Sequence, residues 1–104
     1  MTKTKVEKFE NTIEYQRDSV VSRTIVKKTN GNVTLFAFDE GEGLSEHTAP
    51  FEALVQILDG EAQITIGGEP FTVGPGESIV MPADIPHALK ANSRFKMLLT
   101  MIKS

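Results

Sequence analysis

The sequence contains two spaced motifs, GEGLSEHTAPFEALVQILDG at residues 41–60 and GESIVMPADIPH at residues 76–87. Each motif begins with a glycine and holds one of the two histidines of the chain, His47 in the first and His87 in the second. Imidazole titrates near neutral pH and is a common metal ligand, so both residues are candidates for function. Short apolar runs separated by turn residues are typical of strands rather than helices.

The two motifs resemble the paired motifs of the cupin superfamily, which read G-x5-H-x-H-x3,4-E-x6-G and G-x5-P-x-G-x2-H-x3-N. The matching positions are Gly41, His47 and Gly60 in the first motif and Gly76, Pro82 and His87 in the second. The resemblance covers about residues 31–102. It implies a small single-domain conserved-barrel cupin of the Cupin_2 type, whose first motif is degenerate.

The same resemblance implies a reduced set of metal ligands. The family's second histidine falls on Ala49, and its acidic ligand falls on Ala53. His47 and His87 are therefore the two retained candidate ligands. In the second motif Asp84 replaces the glycine, a mild change because Asp tolerates a left-handed backbone better than most residues do.

Composition limits the class of protein. We expect a single domain over residues 1–104, close to the commonest domain size. The absence of cysteine excludes disulfides and thiolate metal sites. A net charge of -3 argues against a nucleic-acid partner. The N-terminal region lacks the apolar stretch of a secretory signal, and no stretch is long enough to span a membrane, so we expect a cytoplasmic protein without membrane contact.

The strand pattern predicts an all-β fold. Asn30-Gly31 and Gly67-Gly68 lie between β-rich runs and predict two hairpins, with positive φ at both central residues of each turn. An antiparallel double-stranded β-helix, or jelly-roll barrel of the RmlC-like kind, is the predicted architecture. A β-sandwich without a central cavity is the alternative. The predicted strands are 12–15, 19–28, 33–38, 53–58, 61–66, 70–73, 77–81, 86–91 and 95–102.

Alternation along these strands predicts which side chains face the interior. If Ala53 faces inward, as the resemblance implies, Leu54 and Leu58 lie on the outer face of the same strand. A strand that is apolar on both faces needs a cover on its outer side, either from another element of the chain or from a second subunit, and we expect a homodimer. The predicted ligand pocket consists of His47, His87, Ala49, Ala53, Val55, Met81, Leu89, Phe95 and Met97.

Two functions are consistent with this pocket, and whether the protein is an enzyme stays open. The first is a module that binds a small, largely apolar organic molecule near the histidines. The second, implied by the resemblance, is a metal-dependent dioxygenase, isomerase or lyase that holds Zn, Mn, Fe or Ni through His47 and His87. A third ligand would have to come from Glu46, Glu52 or Gln56. A metal-free enzyme that uses His87 as acid or base is a further alternative.

Overall fold

The computed structural model describes residues 4–103. In this range the chain has one 3-10 turn, Phe9–Asn11, followed by nine strands. The strands are β1 (Val20–Lys28), β2 (Gly31–Phe38), β3 (Gly43–His47), β4 (Glu52–Gly60), β5 (Ala62–Ile66), β6 (Glu69–Val73), β7 (Ser78–Met81), β8 (His87–Lys90) and β9 (Phe95–Ile102).

The strands form two sheets that face each other. The larger sheet has the order β1-β2-β9-β4-β7, and the smaller has the order β3-β8-β5-β6. All strand pairs in both sheets are antiparallel. This architecture confirms the predicted antiparallel jelly-roll barrel. Within residues 4–103, no helix is long and apolar enough to cross a membrane.

The two predicted hairpins both form, but only one uses the predicted turn. Gly67 and Gly68 have φ values of 58° and 82°, as the predicted turn requires. In the other hairpin Lys28 pairs with Gly31, so the turn consists of residues 29 and 30, and the prediction of an Asn30-Gly31 turn is wrong. Gly31 lies inside β2, where an added Cβ would come within 2.6 Å of the carbonyl oxygen of Met101. Gly31 therefore allows the backbones of β2 and β9 to lie close together at this point.

Two strand assignments from the sequence are also wrong. Residues 12–15 are not a strand, although Ile13 is only 4% exposed. Within residues 4–103 this segment pairs with no strand, and Ile13 and Tyr15 pack against the outer apolar cluster. Conversely, β3 is a strand that the sequence did not predict. It has one apolar residue, Leu44, among exposed neighbours, so it lacks the apolar alternation by which a strand is recognised.

The main core fills the space between the sheets. Ala53, Val55 and Ile57 of β4 all face inward, as alternation predicts. The rings of Phe38 and Phe95 stack beside them, with a centroid distance of 4.5 Å. Both rings are fully buried. This packed end of the barrel supports the more open end, where the two histidines lie.

A second apolar cluster lies on the outer face of the larger sheet. The segment before β1 contributes the buried side chain of Ile13, and Leu58 packs against this cluster. The hydroxyl of Tyr15 donates a hydrogen bond of 2.5 Å to the carboxylate of Asp59. Burial and this bond raise the pKa of Tyr15. The N-terminal segment therefore covers the Leu58 part of the outer face, one of the two kinds of cover predicted for this strand.

The glycine that ends the first motif provides a test of the barrel geometry. Gly60 has a φ of +73°, and an added Cβ would overlap the carbonyl oxygen of Arg94. Gly68 has a similar φ of +82° but open space around the same position. We expect Gly68→Ala to cost about 1–2 kcal/mol of unfolding free energy from backbone strain alone. Gly60→Ala should cost clearly more, because the β9 backbone must also move.

Urea denaturation of both variants measures this difference. Gly68→Ala is the matched control, since it shares the conformational strain and lacks the overlap. Equal losses of stability would contradict the close approach of Gly60 to the start of β9.

Candidate functional site

The two histidines meet across a pair of neighbouring strands. His47 ends β3, His87 begins β8, and the two residues are direct cross-strand partners. Their rings meet edge to face, with a centroid distance of 4.4 Å and an angle of 70°. The Nε2 atoms lie 3.1 Å apart, within hydrogen-bond distance. His87 is only 6% exposed, whereas His47 is exposed and lies at the opening.

A β-bulge places His47 on the correct face. Leu44 pairs with Leu89 and His47 pairs with His87, so three steps along β3 oppose two steps along β8. In a regular strand, residues three apart point to opposite faces. The extra residue returns His47 to the face of Leu44, and both side chains line one cavity. The sequence gives no signal for this bulge.

Backbone carbonyls fix the tautomer of each imidazole. Nδ1 of His47 lies 2.7 Å from the carbonyl oxygen of Ser45, and Nδ1 of His87 lies 3.2 Å from that of Ile85. A carbonyl only accepts, so each Nδ1 carries a hydrogen and donates it. A neutral imidazole has a single N–H, which leaves both Nε2 atoms without a hydrogen. A hydrogen bond between the two Nε2 atoms therefore needs a hydrogen on one of them.

The loop before β8 is tied to the first motif. Asp84 has a φ of 63°, the left-handed conformation expected where the family motif has glycine. Its N–H donates a hydrogen bond of 2.8 Å to the carbonyl oxygen of Ala49. The loop that carries His87 and the segment that follows His47 are thus joined at the rim of the cavity.

The cavity beside the histidines has a volume of about 80 Å³. Apart from the two imidazoles its lining is apolar. Seven predicted pocket residues line it: His47, His87, Ala49, Ala53, Met81, Leu89 and Met97. Four others that were not among the predicted pocket residues also line it: Leu44, Phe51, Leu99 and Met101.

Two predicted pocket residues lie elsewhere. Val55 and Phe95 are fully buried in the core between the sheets and do not line the cavity. Both face inward, but they lie farther from the opening than Ala53 and Met101 do along the same strands. Leu99 and Met101 share the inward face of β9 with Met97, as strand alternation predicts, and both line the cavity.

The donor set falls short of a catalytic metal centre. Such a zinc site uses three protein ligands, and this cavity offers two imidazole nitrogens. Among residues 4–103, no group of three His, Cys, Asp or Glu side chains is placed to hold a metal ion. Glu46, Glu52 and Gln56, the candidate third ligands, are exposed and do not line the cavity. The two positions that would complete the family's set are alanines.

Fold and motifs together define the class of this protein as a cupin barrel. The profile of the Cupin_2 family, described as a cupin domain, matches residues 34–103. This match covers more than half of the chain, and the chain belongs to this family.

Known proteins with similar sequences and structures support the assignment. The conserved protein SPY1581 of unknown function from Streptococcus pyogenes is 39% identical, with a TM-score of 0.93 over 100% of this chain and 91% of its own. A cupin 2 conserved barrel domain protein from Leptotrichia buccalis is 46% identical, with a TM-score of 0.88 over 90% of this chain and 46% of its own. Polyketide synthase CurC from Streptomyces cyaneus is 26% identical over 69% of this chain. The chain spans 47% of the length of that curated relative.

Restoring the two missing ligands tests the correspondence with the family motif. Ala49 and Ala53 line the same cavity as His47 and His87. We expect Ala49→His combined with Ala53→Glu to raise zinc affinity by orders of magnitude, because two ligands become four. Isothermal titration with Zn²⁺ measures the change. Gln56→His is the control, since it adds an imidazole on the outer face of β4.

Zinc binding by the control that equals binding by the double variant would contradict this expectation. So would a double variant that keeps its native circular dichroism spectrum and gains no affinity.

Proposed function

We propose that this cupin domain binds a small, largely apolar organic molecule in the cavity beside His47 and His87. The observation that carries the proposal is the chemistry of the cavity lining, in which apolar side chains surround a single polar feature, the imidazole pair. Binding sites for small organic molecules commonly combine an apolar lining with a few placed polar groups. The alanines at positions 49 and 53 provide space where the family motif has ligands.

The lining also determines how such a molecule would be oriented. Its apolar body would contact Met81, Met97 and Leu99, where removal from water contributes about 25 cal/mol per Å² of apolar surface. Its polar end would meet His47, the imidazole at the opening. Because both Nδ1 atoms are held by carbonyl groups, only the Nε2 atoms are available to a ligand.

Cavity size limits the ligand. A dry apolar cavity that holds benzene has a volume of about 150 Å³, nearly twice the volume found here. A ligand of that size would require the lining to move. Three of the lining side chains are methionines, which are unbranched and repack more readily than other apolar residues. The proposed ligand is therefore either a molecule of few heavy atoms or one that displaces methionine side chains.

The curated relative is consistent with a carbon-rich ligand. It is called a polyketide synthase, and polyketides are organic molecules with extensive carbon skeletons. Since this chain spans less than half of that protein, the resemblance supports the class of ligand and not an activity. The metal-dependent alternative would need a third protein ligand beyond His47 and His87.

Methionine-methyl NMR provides a direct test. Three of the four methionines of the sequence line the cavity: Met81, Met97 and Met101. We expect benzene, phenol and short-chain alcohols, added singly to protein labelled with ¹³C at the methionine methyl groups, to shift these signals in a saturable way. Ala49→Leu should remove the shifts, because the added carbon atoms occupy the cavity.

Ala88→Leu is the matched control for this experiment. Ala88 lies between His87 and Leu89 on β8, so its side chain faces away from the cavity, and this variant should bind like the original protein. Saturable shifts that persist in Ala49→Leu would contradict the proposed site. The absence of shifts with every probe would contradict the proposed ligand class.

A further inference from the structure

A lysine lies at the mouth of the cavity, on the wall that the larger sheet forms. Met101 of β9 and Ala53 of β4 are cross-strand partners, and both line the cavity. Continued by two residues toward the opening, the same register opposes Lys103 to Phe51. Phe51 also lines the cavity, and the ammonium of Lys103 lies 5.2 Å from the centroid of its ring. The side chain of Lys103 is therefore positioned at the entrance.

The contact with the Phe51 ring attracts the ammonium of Lys103 without neutralising it. Lys103 is partly buried, and a cation within about 6 Å of an aromatic centroid is drawn to the face of the ring. The ammonium has three N–H donors and no acceptor. Within residues 4–103 it forms no ion pair. A positive charge without a carboxylate partner in this range thus lies beside an apolar cavity.

Three acidic residues lie near the entrance, but none of their side chains lines the cavity. Glu46 precedes His47, Glu52 precedes Ala53, and Asp84 belongs to the loop at the rim; all three are exposed. Because Ala53 faces inward, alternation directs Glu52 to the outer face of its sheet. The polar groups on the inner side of the entrance are therefore basic, an imidazole on the smaller sheet and an ammonium on the larger one.

We propose that the ligand of this cavity is a small monocarboxylate, whose apolar chain fills the cavity and whose carboxylate meets Lys103 at the entrance. This inference rests on the proposed function and adds the chemical class of the polar end. A charge-assisted hydrogen bond from an ammonium to a carboxylate is stronger than one between neutral groups. The head group stays at the mouth, so only the chain has to fit the volume of about 80 Å³.

The charge at the entrance favours a carboxylate over other head groups. An ammonium on the ligand would be repelled by Lys103, and a neutral head group would gain no ion pair from it. A phosphate monoester carries about 1.5 to 2 negative charges at neutral pH, whereas the described part of the entrance has one ammonium. A single negative charge matches that of Lys103.

Two probes of the same shape test the role of charge. Butyrate and butyramide share a three-carbon chain, and only butyrate is charged. Titrations followed through the ¹³C-labelled methionine methyl groups give a dissociation constant for each probe. We expect butyrate to bind roughly tenfold more tightly, because a hydrogen bond gains about this factor when its acceptor is charged. Lys103→Met should remove the preference and leave the binding of butyramide unchanged.

Two further variants are the controls. Lys103→Arg keeps a positive charge at the entrance and should keep the preference for butyrate. Lys90→Met removes the same charge from β8, where Leu89 faces the cavity and Lys90 is exposed on the other face. This variant should also keep the preference, which separates a local effect of Lys103 from an effect of net charge.

The outcomes distinguish this inference from the proposed function. Equal binding of the two probes by the original protein overturns the inference and leaves the proposed function intact, because butyramide still occupies the cavity. A preference that persists in Lys103→Met, or one that is lost in Lys90→Met, overturns it in the same way. If neither butyrate nor butyramide shifts the methionine signals, the inference fails, and if benzene, phenol and the alcohols also fail to shift them, the proposed function fails as well.

Discussion

The candidate site depends on one irregularity in strand pairing. Strand alternation puts residues three apart on opposite faces, yet Leu44 and His47 line the same cavity. The bulge in β3 makes this possible by inserting one residue against β8. Without it His47 would point away from the cavity, the Nε2 of His87 would lose its partner, and the cavity would have only one polar side chain.

The imidazole pair also stabilises the barrel. A buried polar group costs free energy unless it is hydrogen-bonded. His87 meets this requirement at both ring nitrogens, through the carbonyl oxygen of Ile85 and Nε2 of His47. His47 therefore satisfies a buried group in addition to facing the opening. A ligand that takes its place as the partner of His87 must supply an equivalent hydrogen bond.

Sequence patterns predicted the fold more fully than the site. Alternation correctly assigned the inward faces of β4 and β9, because those strands are long and mostly apolar. It gave the face of each residue but not its distance from the opening, which is why Val55 and Phe95 were placed in the pocket. The turn was wrongly placed at Asn30-Gly31 because glycine occurs both in tight turns and where two strands approach closely, and the sequence does not distinguish these two cases. Strand β3 was not predicted because its residues are mostly polar and do not alternate with apolar ones.

The hydrogen bond from Asp84 to Ala49 connects the loop before β8 to the segment that follows His47, at the rim of the cavity. Residues from two distant parts of the sequence share one backbone contact of 2.8 Å. Any outward displacement of the segment after His47 must either break this contact or pull the Asp84 loop, and with it the base of His87. While this contact is kept, widening the entrance therefore also moves the loop that leads into His87, and the passage into the cavity is coupled to its polar centre.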